Sequence, residues 1–211
     1  MGASEARTKR VQLLSTILLA VAAVTTAWCS FQASRWTAEY RAASGHTNAL
    51  RLEAARAQGL VEAEKEVDVA TFSQWVDAYA LRRTELADFY FRRFRKEFRP
   101  AVVAWLATKP LTNPTAPLTP FAVPQYKLAA ASQVRQFDAE AELSSAKGQR
   151  DNQRSTNYVL AVVLCASALF FAGMSKVGGS LRQQEALLAI GWALLLGTVV
   201  WVAISPVSFS V

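Results

Sequence analysis

The chain has 211 residues, 52% of them apolar and 18% charged, with 23 Lys and Arg against 16 Asp and Glu. The apolar residues gather in three charge-free windows, residues 11–34, 155–175 and 186–211, each long enough to cross a bilayer, which excludes a soluble globular domain and a disordered chain. Only two cysteines occur, Cys29 and Cys165, both inside apolar windows, so a disulfide-stapled module is excluded; the net charge of +7 is interleaved with acids rather than gathered beside stacking aromatics, and nucleic acid is not an expected partner.

Residues 1–10 form a short basic segment, with Arg7, Lys9 and Arg10 ahead of a first span over residues 11–29. This order resembles a secretory signal, but Trp28 follows the only small-residue run and sits directly before Cys29. An uncleaved anchor is therefore expected. The exit of the span carries Trp28, Phe31, Gln32, Arg35 and Trp36, a set suited to the interfacial aromatic belt, to snorkelling or to bonds across helices. Ala20, Ala23, Ala27, Ser30 and Ser34 recur at three- or four-residue spacing and predict a strip for close helix packing. Ser15, Thr16, Thr25 and Thr26 are the polar side chains with which this span would line a pore.

Residues 30–155 read as an extracytoplasmic helical domain. Cys29, Ala33, Trp36, Tyr40, Ala43, Thr47, Leu50, Ala54, Ala57 and Val61 alternate in steps of four and three, the pattern of a coiled-coil seam continuing out of the span. A break is expected near Gly59 or within Glu62, Glu64, Glu66 and Asp68, followed by a second helix to about Phe98 with Phe72, Val76, Tyr79, Leu86, Tyr90 and Phe94 on one face. Arg92, Arg93, Arg95, Lys96 and Arg99 gather at its end and are candidates for partner or headgroup contacts. A short helix over residues 101–108 is expected next, then a Pro-rich loop, residues 109–124, read as a flexible or partner-contacting connector. From Tyr126 a polar, alanine-rich helix carries Val134, Phe137, Ala141 and Gly148 as a thin seam into the second span. At 1.5 Å per residue these arms would reach roughly 40 to 50 Å.

The second span covers residues 156–174 and the third residues 186–204, joined by the link 175–185, where a Gly pair ends one helix; residues 205–211 form a tail. Positive charge on the N-terminal segment and on the link places both in the cytoplasm and the tail outside.

His46 is the only histidine and no nucleophile elbow or glycine-rich loop accompanies it; one His and two membrane-embedded Cys cannot build a zinc site. The carboxylates at 62–68 lack the Gly turn of a dedicated calcium loop. No catalytic residue, cofactor or metal is expected.

The run Thr26-Ala27-Trp28-Cys29-Ser30-Phe31-Gln32-Ala33-Ser34-Arg35-Trp36 resembles the exit of the first span in a family of small bacterial inner-membrane proteins, where the pattern is Trp-Ser-aromatic-Gln-Ala-x-(Arg/Lys)-Trp. Residues 72–79, 87–90, 98–101 and 152–158 are similar to later segments of that family, and Cys29 departs from it by standing where Ser is usual. The resemblance implies one N-terminal span, a helical outer region and a C-terminal two-span hairpin, and transfers no catalytic residue. The expectation is an all-α, three-span inner-membrane protein with a helical stalk, acting in the bilayer as a non-enzymatic scaffold, assembly or interaction component, as a homo-oligomer or within a larger membrane complex. An oligomeric channel lined by the first span is one alternative, and an envelope sensor needing a cytoplasmic partner is another.

Overall fold

The computed structural model describes residues 2–177 and 179–208, with side chains from residue 6. Gly178, the first of the Gly pair in the link, and residues 209–211 of the tail lie outside the described residues. The protein is an all-α membrane protein: α1 (Gly2–Ala80), α2 (Thr84–Arg93), α3 (Arg99–Ala107), a 3-10 turn (Pro120–Ala122), α4 (Ala129–Met174) and α5 (Leu181–Ala203). Three of these helices, α1, α4 and α5, are long and apolar enough to cross a membrane. Most of each apolar stretch faces outward; Val24 is 71% exposed, Phe170 62% and Val200 63%. Water would not tolerate such a surface, whereas lipid is its natural solvent.

The chain divides into a membrane unit, Met1–Gly45 with Ser144–Val211, and a second unit, His46–Leu143. In the membrane unit α1, α4 and α5 meet in a cluster of Leu18, Ala22, Cys165, Ala168, Ala172, Leu188 and Leu195. The helices approach closely because the contact residues are small. A Cβ placed on Gly191 of α5 would lie 2.8 Å from Leu18 Cδ2 and 3.3 Å from the Ala168 carbonyl oxygen, so only glycine fits there without a shift. A second cluster, Cys29, Ala33, Trp36, Tyr158 and Ala161, continues the packing. Gly179 opens α5 at φ 109°, a left-handed conformation that other residues resist. The Ser180 N–H is then accepted by Gln183 Oε1 at 3.0 Å, half of a capping box.

The seam expected on the first arm is buried at Cys29, Ala33, Trp36, Ala43, Thr47, Leu50, Ala54 and Ala57; the exceptions are Tyr40, 37% exposed, and Val61, half-buried. The expected break at Gly59 or in the acidic run does not occur, for α1 is helical to Ala80. Glu is a good helix former, and a single glycine inside a helix costs only about 1 kcal/mol. The helix ends instead at Arg82, which takes φ 54° while Arg82 N–H donates to the Tyr79 carbonyl and Arg83 N–H to that of Ala78. This left-handed cap turns the chain back.

The expected long helix to Phe98 is likewise split, since Phe94 caps α2 with ψ 143°. The fold gains by it: Phe94 and Phe98 both enter the core of the second unit, with Phe72, Trp75, Ala78, Ala87, Ala101, Val102, Trp105 and Val123. Pro100 sits in the first turn of α3, where a missing N–H costs nothing. The Pro-rich segment is only partly the free connector expected. Pro120 and Val123 are buried and Phe121 stacks on Phe98 at 5.3 Å with planes 5° apart, while Leu111 and Leu118 stay 80% and 94% exposed.

Candidate interaction surfaces

In the second unit the ring of Phe72 meets Phe98, Trp105 and Phe121 edge-on at 5.4 to 6.2 Å. Such edge-to-face pairs add roughly 0.5–1.5 kcal/mol each beyond area burial. Beside this core Asp68 is fully buried and accepts two hydrogen bonds from Arg95, from Nε and Nη2, both at 2.9 Å. Glu64 lies 3.0 Å from Arg95 Nη1, and the Tyr126 hydroxyl donates to Asp68 Oδ2 at 3.3 Å. The fork of a guanidinium matches a carboxylate with two parallel bonds, and this geometry compensates for desolvating the pair. Hydrogen bonding to Asp68 raises the Arg95 pKa despite burial, and burial with the Asp68 charge pushes the Tyr126 phenol up to about 12.

This network corrects two sequence expectations. Asp68 is no solvated helix start, and Arg95 is not offered to headgroups, its side chain being only 21% exposed. The other basic candidates divide. Arg99 donates to the carbonyls of Phe94 and Arg92, Arg93 lies 4.2 Å over the Phe89 ring, and Arg92 and Lys96 are exposed. Only Arg92, Arg93 and Lys96 form the wet basic face.

One side of the aromatic core opens into a groove of about 320 Å³ lined by Trp75, Val76, Tyr79, Trp105, Leu106 and the start of the Pro-rich segment, Lys109 to Thr112. Its shape is fixed by short-range bonds. Trp105 Nε1–H donates to the Pro117 carbonyl at 2.7 Å, Asn113 Nδ2 donates to that of Thr108, and Asn113 Oδ1 accepts from Thr115 N–H and Oγ1–H. Tyr79 stacks on Trp75 at 5.1 Å and is half exposed. The sequence reading assigned Val76 and Tyr79 to the core face and missed the groove, because the loop that forms its far wall is set by Trp105 and Asn113 rather than by periodicity. Asp68 could have been found: it falls four residues after Glu64, on the steps of the buried seam.

In the membrane unit the exit set divides by face. Trp28 and Phe31 point outward, 41% and 53% exposed, whereas Gln32 is fully buried and Trp36 nearly so. Gln32 Oε1 accepts the Ser208 N–H at 3.1 Å, and Arg154 lies 4.5 Å over the Trp36 ring; Arg35 is half-buried. The expected packing strip is not on the face that α1 buries within the chain. Ala20, Ala23, Ala27, Ser30 and Ser34 are all exposed, and the buried small residues are Ser15, Ala22 and Ala33 with Ala161, Ala168 and Ala172 of α4. Ser15 Oγ–H donates to the Ala172 carbonyl at 2.9 Å and Ser155 Oγ–H to that of Ala33 at 3.0 Å, and these bonds set which face of α1 turns inward.

The four pore candidates do not share a face. Ser15 is buried against α4, Thr16 is exposed, and Thr25 and Thr26 bond back to the carbonyls of Val21 and Ala22 in their own helix. His46 is exposed. No group of three or more His, Cys, Asp or Glu suited to a metal occurs among the described residues. Comparison of the chain with protein-family models, with curated proteins and with solved structures finds no match in any of the three.

Proposed function

We propose that the protein is a non-enzymatic scaffold of the bacterial inner membrane, anchored by α1, α4 and α5 and engaging another envelope protein through the aromatic unit. The observation that carries this reading is the groove walled by Trp75, Tyr79, Leu106 and Leu111, an apolar surface held open by a bonded loop and backed by a rigid core. Rigid aromatic walls around a recess are what a partner's anchoring side chain needs. Positive charge at Arg7, Lys9, Arg10, Lys176 and Arg182 supports an orientation with these residues in the cytoplasm and the aromatic unit outside. The channel alternative loses support from Ser15, which is committed to α4 rather than to a lumen.

Two linked experiments test the reading. In intact cells, with Cys29 and Cys165 replaced by alanine, Thr115→Cys should react with an impermeant maleimide and Ser180→Cys should not; the reverse would move the aromatic unit to the cytoplasm and discard the envelope scaffold. A photo-crosslinking residue at Leu111 or Tyr79 should yield one discrete adduct that is absent when it is placed at Leu52, on another exposed part of the same unit. Equal labelling at all three positions, or ionic current from the purified protein in planar bilayers, would overturn it.

A further inference from the structure

At the end of the membrane unit where α1 enters and α5 begins, the two helices form a groove of about 390 Å³. Its mouth is charged, with Arg7, Arg10 and Glu185, and its deeper part is apolar, floored by the buried Val11 and Leu188 and closed by Trp192. On both helices the lining spans seven positions, Arg7 to Leu14 and Glu185 to Trp192, about 10 Å along each axis, with charge giving way to apolar after Arg10 and after Glu185. Leu14 and Ile190 beside it are 44% and 45% exposed, so the groove opens sideways onto the lipid-facing surface.

We propose that this groove is a binding site for one anionic phospholipid, its phosphate at the two arginines and an acyl chain along Leu14 and Leu188. Three observations select that occupant. The mouth holds two guanidinium groups against one carboxylate. Glu185 Oε1 and Oε2 take Arg7 Nε and Nη2 at 2.9 and 3.3 Å, which orients Arg7, while Arg10 is exposed and has no partner among the described residues. Trp192, whose buried indole N–H lacks an acceptor among the described residues, lines the apolar end of the groove. A basic mouth above an apolar trough between spanning helices matches the polarity of a charged headgroup carrying a chain, and a zwitterionic headgroup gains less from it. The inference is independent of the scaffold reading and of which way the protein faces.

The test uses the full-length protein, stripped of lipid in detergent and followed by native mass spectrometry. Phosphatidylglycerol and phosphatidylcholine of identical chains are added in turn, then inorganic phosphate as competitor. One phosphatidylglycerol should bind in preference to phosphatidylcholine, and Arg10→Gln should cut that preference about fivefold, the worth of one surface arginine near an anionic headgroup. Ala189→Trp, at an exposed wall position, should block retention of the bound lipid with helicity unchanged. Equal binding of the two lipids, no effect of either variant, or displacement by inorganic phosphate would overturn the proposal. So would a groove that stays lipid-free because a second copy of the chain covers it.

Discussion

The two units solve the same packing problem with different residues. The core of the second unit centres on large rings, Phe72, Trp75, Phe94, Phe98 and Trp105, whereas in the membrane unit Leu18, Leu188, Leu195, Trp36 and Tyr158 are set among Ala22, Ala161, Ala168, Ala172 and Gly191 with hydroxyls at Ser15 and Ser155. The difference follows from solvent. In water, burying a ring is favourable in proportion to its area, so size is useful. In lipid the surroundings are as apolar as the side chain, and helices adhere by close approach and by hydrogen bonds, so smallness is useful.

This contrast can be broken from either end. The largest effect is expected from Asp68→Ala, which removes both of its bonds to Arg95, leaves that guanidinium only its Glu64 partner at 3.0 Å, and should destabilise the second unit by about 3 kcal/mol. Hydrogen exchange should then accelerate at residues 70–76 and 100–104 while α5 stays protected, and uniform acceleration would show that the units do not fold separately. Gly191→Val should do the converse, overpacking the membrane unit at a cost of about 1–3 kcal/mol and leaving the aromatic unit's exchange unchanged. A third test uses alkali. Tyr126 titrates near 12 in the folded protein against an ordinary 10.0, so the unfolded chain loses its proton first. The stability that the Tyr126 phenol contributes should therefore be fully present below pH 10 and fall as the pH rises towards 12. Tyr126→Phe should abolish that part of the fall, and an unchanged profile would remove the phenol from the network. The smallest effect, about 0.6 kcal/mol, is expected for Ser155→Ala, typical of one interhelical hydrogen bond in a membrane. A loss several times larger by thermal denaturation in detergent would mean that hydroxyls rather than close approach hold α1 against α4.

Much of this architecture was legible from the sequence because long periodic signals dominate it. The three spans follow from uninterrupted hydropathy, and the seam from Cys29 to Ala57 follows from steps of four and three that one helix must bring to one side. What escaped depends on partners distant along the chain. The helix runs on through Gly59 and the acids because the glutamates form helix readily, one glycine costs little against so long a helix, and Asp68 meets Arg95, 27 positions away. Arg82 carries no Gly or Pro signature, yet it ends α1 so that Ala87 and Phe94 can reach the core. The strip Ala20, Ala23, Ala27, Ser30 and Ser34 has the composition of a packing face yet stays exposed, since spacing alone does not say which side of a helix the chain's own neighbours choose.

The Asp68–Arg95 pair has a consequence for register. Alanines at 43, 54 and 57 on α1 and at 130 and 141 on α4 make up much of the buried seam, and small side chains hold a helix in place only weakly. Moving Asp68 by one heptad would bury a carboxylate without its guanidinium, a far larger loss than any alanine mismatch. The ion pair, joined by the Tyr126 hydroxyl just ahead of α4, thus acts as an index mark that sets α1 at one position against the segment between α2 and α3.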